Sequence, residues 1–230
     1  MVIPFRLLLC ASAVATISCA QPDAASNPAA TPPAQRAPQA ATSSSLPRIV
    51  FLGDSLTAGY GLAREQSTPS LIQAHLKAAG YHYDVINAGV SGDTSAGGLS
   101  RLDWSLDGDV DVLVIELGAN DGLRGLPVAQ LKNNLTEIVT RAKQRGITVI
   151  LTGMEAPPNY GAAYTSEFRQ LFRDLAREHQ LVFVPFYLEG VAGNPALNIS
   201  DGIHPNPAGA RIVEKTIWRA LEPVLHKSDR

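Results

Sequence analysis

Five short, continuous apolar runs recur along this chain, and the segments between them carry apolar residues at three- and four-residue intervals. The runs are Ile49 to Leu52, Tyr83 to Ile86, Val110 to Leu117, Ile147 to Leu151 and Leu181 to Val184; the helically spaced segments are Pro69 to Ala79, Val128 to Arg145, Tyr164 to His179 and Pro207 to about Leu225. A run of this length that does not alternate suits a strand buried on both faces, because every side chain must then meet apolar neighbours. When strand alternates with helix, each helix crosses over the sheet. The pattern therefore predicts a parallel five-stranded sheet with helices on both sides, a three-layer α/β/α sandwich. Pro207 suits the first turn of the last helix, where a missing N–H costs nothing.

At 230 residues the chain has room for one well-buried domain, expected over residues 47–230. What precedes it reads differently. Met1 to Arg6 carries one positive charge, and Leu7 to Ile17 is apolar but too short to span a bilayer, so residues 1–20 are expected to be an export signal. Two cleavage readings compete. Ser18-Cys19-Ala20 suits a leader peptidase cutting after Ala20, whereas Thr16-Ile17-Ser18-Cys19 resembles a bacterial lipobox that would make Cys19 a lipidated first residue. Thr16 departs from the leucine usual there, but Cys19 has no thiol partner downstream, which favours lipidation. Residues 21–46 are Ala, Pro, Gln, Ser and Thr with hardly any large apolar side chain, and are expected to be a disordered tether. The protein is expected to be exported to the periplasm, with anchoring to the outer membrane following if Cys19 is lipidated.

The two cysteines, Cys10 and Cys19, leave no thiol in the domain for a disulfide, a thiolate metal site or a nucleophile. A net charge of −2 and a pI near 6.2 give no basic footprint for nucleic acid or an anionic membrane surface. The expected partner is a small molecule, and the chemical candidates are Ser, His and carboxylates.

In open α/β sheets the ligand crevice lies at the carboxyl ends of the strands. After the first run comes Gly53-Asp54-Ser55-Leu56-Thr57-Ala58-Gly59, which puts Ser55 at a strand-to-helix turn. Two readings of Ser55 are equally open there: a nucleophile projecting into the crevice, or a serine capping the helix. The segment is not a G-x-S-x-G elbow, a P-loop or a dinucleotide fingerprint. A serine nucleophile needs a base and a group that orients the base. Ser200-Asp201-Gly202-Ile203-His204 offers both on one loop, since Asp201 can reach His204 Nδ1 and leave Nε2 free to take the serine proton. The competing reading is an aspartate capping a turn beside a surface histidine. His75 and His179 fall within helices, His82 in a turn and His226 in the tail, and none suggests chemistry.

Acyl transfer also needs donors aimed at the developing oxyanion, each worth roughly 3 kcal/mol of barrier. Asn87-Ala88-Gly89-Val90-Ser91-Gly92-Asp93-Thr94-Ser95 follows the second run and Gly118-Ala119-Asn120-Asp121-Gly122 the third. Either could supply a donor; either could equally be an ordinary turn rich in Gly, Asn and Asp. Three such loops at three strand ends, together with the Asp/His pair, favour a site.

From about Arg48 onward these blocks resemble the GDSL esterases and lipases, also called SGNH hydrolases. The resemblance implies a flavodoxin-like arrangement of the sandwich, with Ser55 as nucleophile and Asp201 and His204 as its triad partners. It also implies an oxyanion hole made of the Ser55 and Gly92 N–H groups and the Asn120 amide. Ser91 to Ser95, Glu116-Leu117-Gly118, Asn120 to Gly125 and Pro158-Asn159-Tyr160-Gly161 are similar to the bacterial thioesterase, lysophospholipase and arylesterase branch. That branch implies a monomer acting on acyl esters or thioesters without cofactor or metal, with Asn159, Tyr160 and Gly161 contacting substrate and Glu155 to Ala163 acting as a lid. Ala119 stands where the branch has Gly, and Thr68 replaces an aromatic; both are expected near the acyl pocket. Two rivals remain: a carbohydrate O-acetylesterase, which would want an aromatic-lined cleft, and a non-catalytic surface-anchored binding protein, which should have lost part of the set.

Overall fold

A computed structural model describes residues 46–226. The expected export signal, Cys19 and all but the last residue of the expected tether lie outside the described residues.

The elements follow in the order β1 (Arg48–Gly53), α1 (Ser55–Ala58), α2 (Thr68–Ala78), β2 (Asp84–Gly89), α3 (Ser95–Ser100), α4 (Leu102–Ser105), β3 (Val110–Glu116), α5 (Ala119–Leu123), α6 (Val128–Gln144), β4 (Thr148–Thr152), α7 (Ala162–Glu178), β5 (Val182–Val184) and α8 (Pro207–Leu221). The strands form one fully parallel sheet in the order β2-β1-β3-β4-β5. The expected α/β/α sandwich is present: α2 packs on α8, while α6 packs on α3 and α7.

The apolar runs became strands for the reason they were singled out. Ile49 to Leu52 in β1 and Leu113 to Ile115 in β3 are completely buried, each side chain worth roughly 1.5–3 kcal/mol in burial. Helix α6 buries Leu131, Leu135, Ile138, Val139 and Ala142 along one stripe, and α7 buries Phe168, Leu171, Phe172 and Leu175. Asn206 caps α8, its side chain accepting the N–H groups of Ala208 and Gly209 at 2.9 and 3.1 Å, and Pro207 fills the first position.

Strand β2 differs from its expectation. It starts one residue later than predicted and runs three residues further, through Asn87, Ala88 and Gly89. It is an edge strand with much of its length exposed, so only its first half carries an apolar signal. The short helices α1, α3, α4 and α5 are too brief for any periodicity to announce them. Among the described residues, no helix is long and apolar enough to cross a membrane.

Because β1 lies between β2 and β3, the chain leaves it first to one side and later to the other. The reversal opens a crevice at the carboxyl ends of β1 and β3. Gly53 ends β1 and Glu116 ends β3, and the two stand opposite each other in register.

Candidate active site

Gly53 has no room for a side chain: a Cβ there would lie 2.0 Å from Thr57 Oγ1 and 2.6 Å from Glu116 Oε2. The next residue, Asp54, caps α1, with Oδ1 accepting the Leu56 N–H at 3.0 Å. The cap is therefore aspartate, and the serine-cap reading does not hold. Ser55 is the first residue of α1, and its hydroxyl lies 2.8 Å from His204 Nε2.

Across the imidazole, His204 Nδ1 lies 2.7 Å from Asp201 Oδ2, and Asp201 Oδ1 accepts the N–H groups of Ile203 and His204 at 3.0 and 3.1 Å. These partners call for a hydrogen on Nδ1 and a lone pair on Nε2 facing the serine. Slight burial works upward on the Asp201 carboxyl, but the His204 hydrogen bond and the two backbone N–H groups outweigh it and hold Asp201 below the ordinary carboxylate range. The loop is pinned by the Ile199 N–H donating to the His204 carbonyl at 2.8 Å and by a bridge between Asn198 and Pro205. The Tyr60 ring lies tilted against the imidazole, centroids 4.7 Å apart.

Gly92 adopts a left-handed φ of 86°, which favours glycine, and Arg124 Nη2 donates to its carbonyl at 2.9 Å. The N–H groups of Ser55 and Gly92 donate to no acceptor among the described residues. The Asn120 amide donates one hydrogen to Asp54 Oδ2 at 3.0 Å, and a primary amide has a second to offer. Ser55, Gly92, Asn120 and His204 all line one cleft of about 620 Å³.

The loops are cross-tied. Arg101 donates to the carbonyls of Gly53 at 2.8 Å and Ala88 at 2.6 Å and pairs with Asp93 at 2.7 Å, joining the ends of β1 and β2 to the Gly92 loop. Asp121, nearly fully buried, accepts from the N–H and hydroxyl of Ser95, joining the Gly92 loop to α5. Beneath Ser55, the buried Glu116 Oε2 accepts from Thr57 Oγ1 at 2.8 Å and from the Thr57 and Asp54 N–H groups at 3.2 and 3.3 Å.

Away from these groups the cleft is aliphatic, lined by Leu123, Met154, Ala156, Pro157, Leu188 and Ile203, with Tyr60 and Phe186 as its aromatic residues. Ala119 lines it, as expected. Thr68 does not: it is buried at the start of α2. Asn159, Tyr160 and Gly161 also stand outside the lining. The Tyr160 hydroxyl donates to the carbonyl of Leu123, itself a wall residue, at 3.0 Å. The expected lid segment supplies Glu155, Ala156 and Pro157 to the wall.

Asp54, Tyr60, Arg101 and Glu116 were not assigned positioning roles from the sequence. Glu116 does leave a signal, as a carboxylate inside an otherwise apolar run. His75, read as bland, stacks on Trp218 with ring centroids 3.7 Å apart and pairs with Glu214 at 2.6 Å, on the α2–α8 face.

The family model described as GDSL-like Lipase/Acylhydrolase family matches residues 51–212. The chain is 43% identical over 178 residues to "Esterase TesA" of Pseudomonas aeruginosa, covering 77% of this chain and 89% of the relative. It is 33% identical over 179 residues to "Thioesterase 1/protease 1/lysophospholipase L1" of Escherichia coli, covering 77% and 85%. A crystal structure of TesA superposes with a TM-score of 0.74 at 42% identity, covering 77% of this chain and 99% of the other.

Proposed function

Since the chain belongs to the GDSL-like lipase/acylhydrolase family and is a carboxylic ester hydrolase, we propose that Ser55 is its nucleophile, His204 its general base and Asp201 the group that orients the base. The observation that carries this reading is the 2.8 Å contact between Ser55 Oγ and His204 Nε2, with Asp201 2.7 Å from the other ring nitrogen.

On this reading His204 Nε2 takes the hydroxyl proton as Ser55 Oγ attacks the ester carbonyl carbon. The carbonyl oxygen becomes an oxyanion held by the N–H groups of Ser55 and Gly92 and by the second amide hydrogen of Asn120. His204 then passes its proton to the departing oxygen, the carbon–oxygen bond to the leaving group breaks, and an acyl-serine remains. Water, deprotonated by the same nitrogen, attacks the acyl carbon; the acid leaves and Ser55 regains its proton. Each group the cycle uses comes from this one chain, which supports action as a monomer, and no step calls for a metal or cofactor.

The aliphatic cleft supports an acyl chain as the group bound, and its two aromatic residues give a sugar little to stack on. Thioesters and lysophospholipids, named for the Escherichia coli relative, are included in the proposed range. Residues 1–20 support export to the periplasm, and Cys19 supports a lipid anchor there.

Replacing Ser55 by Ala should abolish p-nitrophenyl acetate hydrolysis and fluorophosphonate labelling together. For a triad serine the loss is on the order of 10⁶ in kcat. Undiminished turnover in the variant would overturn the assignment.

A further inference from the structure

Two carboxyl groups, Asp54 and Glu116, are completely buried against each other beneath Ser55. They are not equivalently solvated. Both Asp54 oxygens accept an N–H, Oδ1 from Leu56 at 3.0 Å and Oδ2 from the Asn120 amide at 3.0 Å. Glu116 concentrates three donors on Oε2, while its Oε1, equally buried, receives none among the described residues. A buried carboxylate with a bare oxygen beside a second carboxylate is heavily disfavoured, and one proton between the two removes the conflict. Asp54, with donors on both oxygens, is built to be the ion. Glu116, with one oxygen that only accepts and one that nothing donates to, is built to be the acid.

We infer that Glu116 is a positioning residue for the oxyanion hole: one of its oxygens gathers the N–H groups of the nucleophile turn, and the other donates its proton to Asp54, which in turn aims the Asn120 amide. Burial, and then the charge of Asp54, push the Glu116 carboxyl well above its ordinary range, in agreement with this arrangement. The remaining neighbours suit it as well. Thr57 donates its hydroxyl from α1. The buried Tyr187, from the segment after β5, stays protonated far above the ordinary tyrosine range through burial and the nearby Glu116. Burial also pushes the Asp54 carboxyl up, but less far than that of Glu116, because the hydrogen bonds from Leu56 and Asn120 work against it. At high pH Glu116 loses its proton, two buried negative charges face each other, and the Asp54–Asn120 hydrogen bond is disturbed.

The inference rests on the reading of Ser55 and Asn120 given above, and its test separates the two. Ser55→Ala is assayed in parallel, and activity surviving there overturns the catalytic reading itself. With Ser55→Ala inactive, the full-length Glu116→Gln protein should keep kcat for p-nitrophenyl acetate within about threefold at neutral pH, because an amide accepts and donates as the neutral acid does. The wild type should show a fall in kcat at alkaline pH that Glu116→Gln lacks. Glu116→Leu, with no donor, should lose about tenfold or more in kcat with KM little changed. In the wild type, infrared spectroscopy should show a protonated-carboxyl stretch at neutral pH that is missing from Glu116→Gln, a readout that does not require Glu116→Leu to fold. Equal damage from Gln and Leu, coincident pH profiles of wild type and Glu116→Gln, or the absence of that band would each overturn the inference.

Discussion

Asp54 caps the helix that Ser55 begins, and its second oxygen holds Asn120 at 3.0 Å. One aspartate thus frees the serine hydroxyl from capping and ties the nucleophile turn to the third loop, 66 residues later in the chain. Asp54→Ala should damage stability and rate together. Losing the cap costs about 1 kcal/mol, and leaving one hydrogen of the half-buried Asn120 amide without its acceptor adds to that cost. Asn120→Ala should lower kcat about 10²- to 10³-fold with a smaller change in Tm. The pair should be strongly non-additive in kcat, and simple additivity in a double-mutant cycle would refute the coupling.

Asp201→Asn tests the orienting group. The asparagine side chain would present an amide to His204 and disturb the tautomer, so kcat should fall about 10³- to 10⁴-fold. The Asp201 hydrogen bonds hold its carboxyl below the ordinary range. Their stabilisation is therefore complete above the unfolded pKa and lost only as pH falls through the lowered folded value. The Tm advantage of wild type over variant should shrink as pH falls below about 4; an advantage that holds undiminished at more acid pH would contradict the lowered value.

Glu116 bears on stability with the opposite sign. Unfolded, it ionises near about 4.3, whereas in the fold burial keeps its proton to much higher pH. Between those values the folded state binds more protons, so stability falls as pH rises, by about 1.4 kcal/mol for each unit. Glu116→Gln lacks that slope. Its Tm should be no better than wild type near pH 4 and increasingly better toward alkaline pH, a trend thermal melts across buffers can read. A difference independent of pH would mean that Glu116 is ionised in the fold.

The cleft wall sets the expected acyl preference. Ala156→Leu adds three carbon atoms to a face that a long chain would touch and a short one would miss. The ratio of kcat/KM for p-nitrophenyl octanoate to that for the acetate should fall about tenfold or more, in keeping with what a few methylenes are worth in a hydrophobic pocket. An unchanged ratio would place the acyl chain elsewhere.

The sheet was legible because a strand buried on both faces must be continuously apolar; β1, β3, β4 and β5 announce themselves within two residues. Half of β2 was hidden because an edge strand can be built from Asn87, Ala88 and Gly89. Ser55, Asp201 and His204 were legible as chemistry because few other roles need those residue types at strand ends and on one loop. Asn159, Tyr160 and Gly161 resemble substrate contacts from their block alone; whether such a segment lines the cleft depends on where the chain turns after Pro157, and turns leave no periodic mark. Asp54, Arg101 and Glu116 went unassigned for a similar reason. Each works by reaching across loops far apart in the chain, as when Arg101 meets Gly53 across 48 residues, and no local pattern encodes such a reach.

Ser55 is delivered by the first strand, and His204 by the loop before the last helix, 149 residues on. A chain still emerging from the ribosome would hold its serine long before it holds a base. On the proposed reading, esterase activity switches on only after the His204 loop has been made, and truncated or proteolysed fragments lacking that loop are inert toward the acyl esters of the cell that makes them.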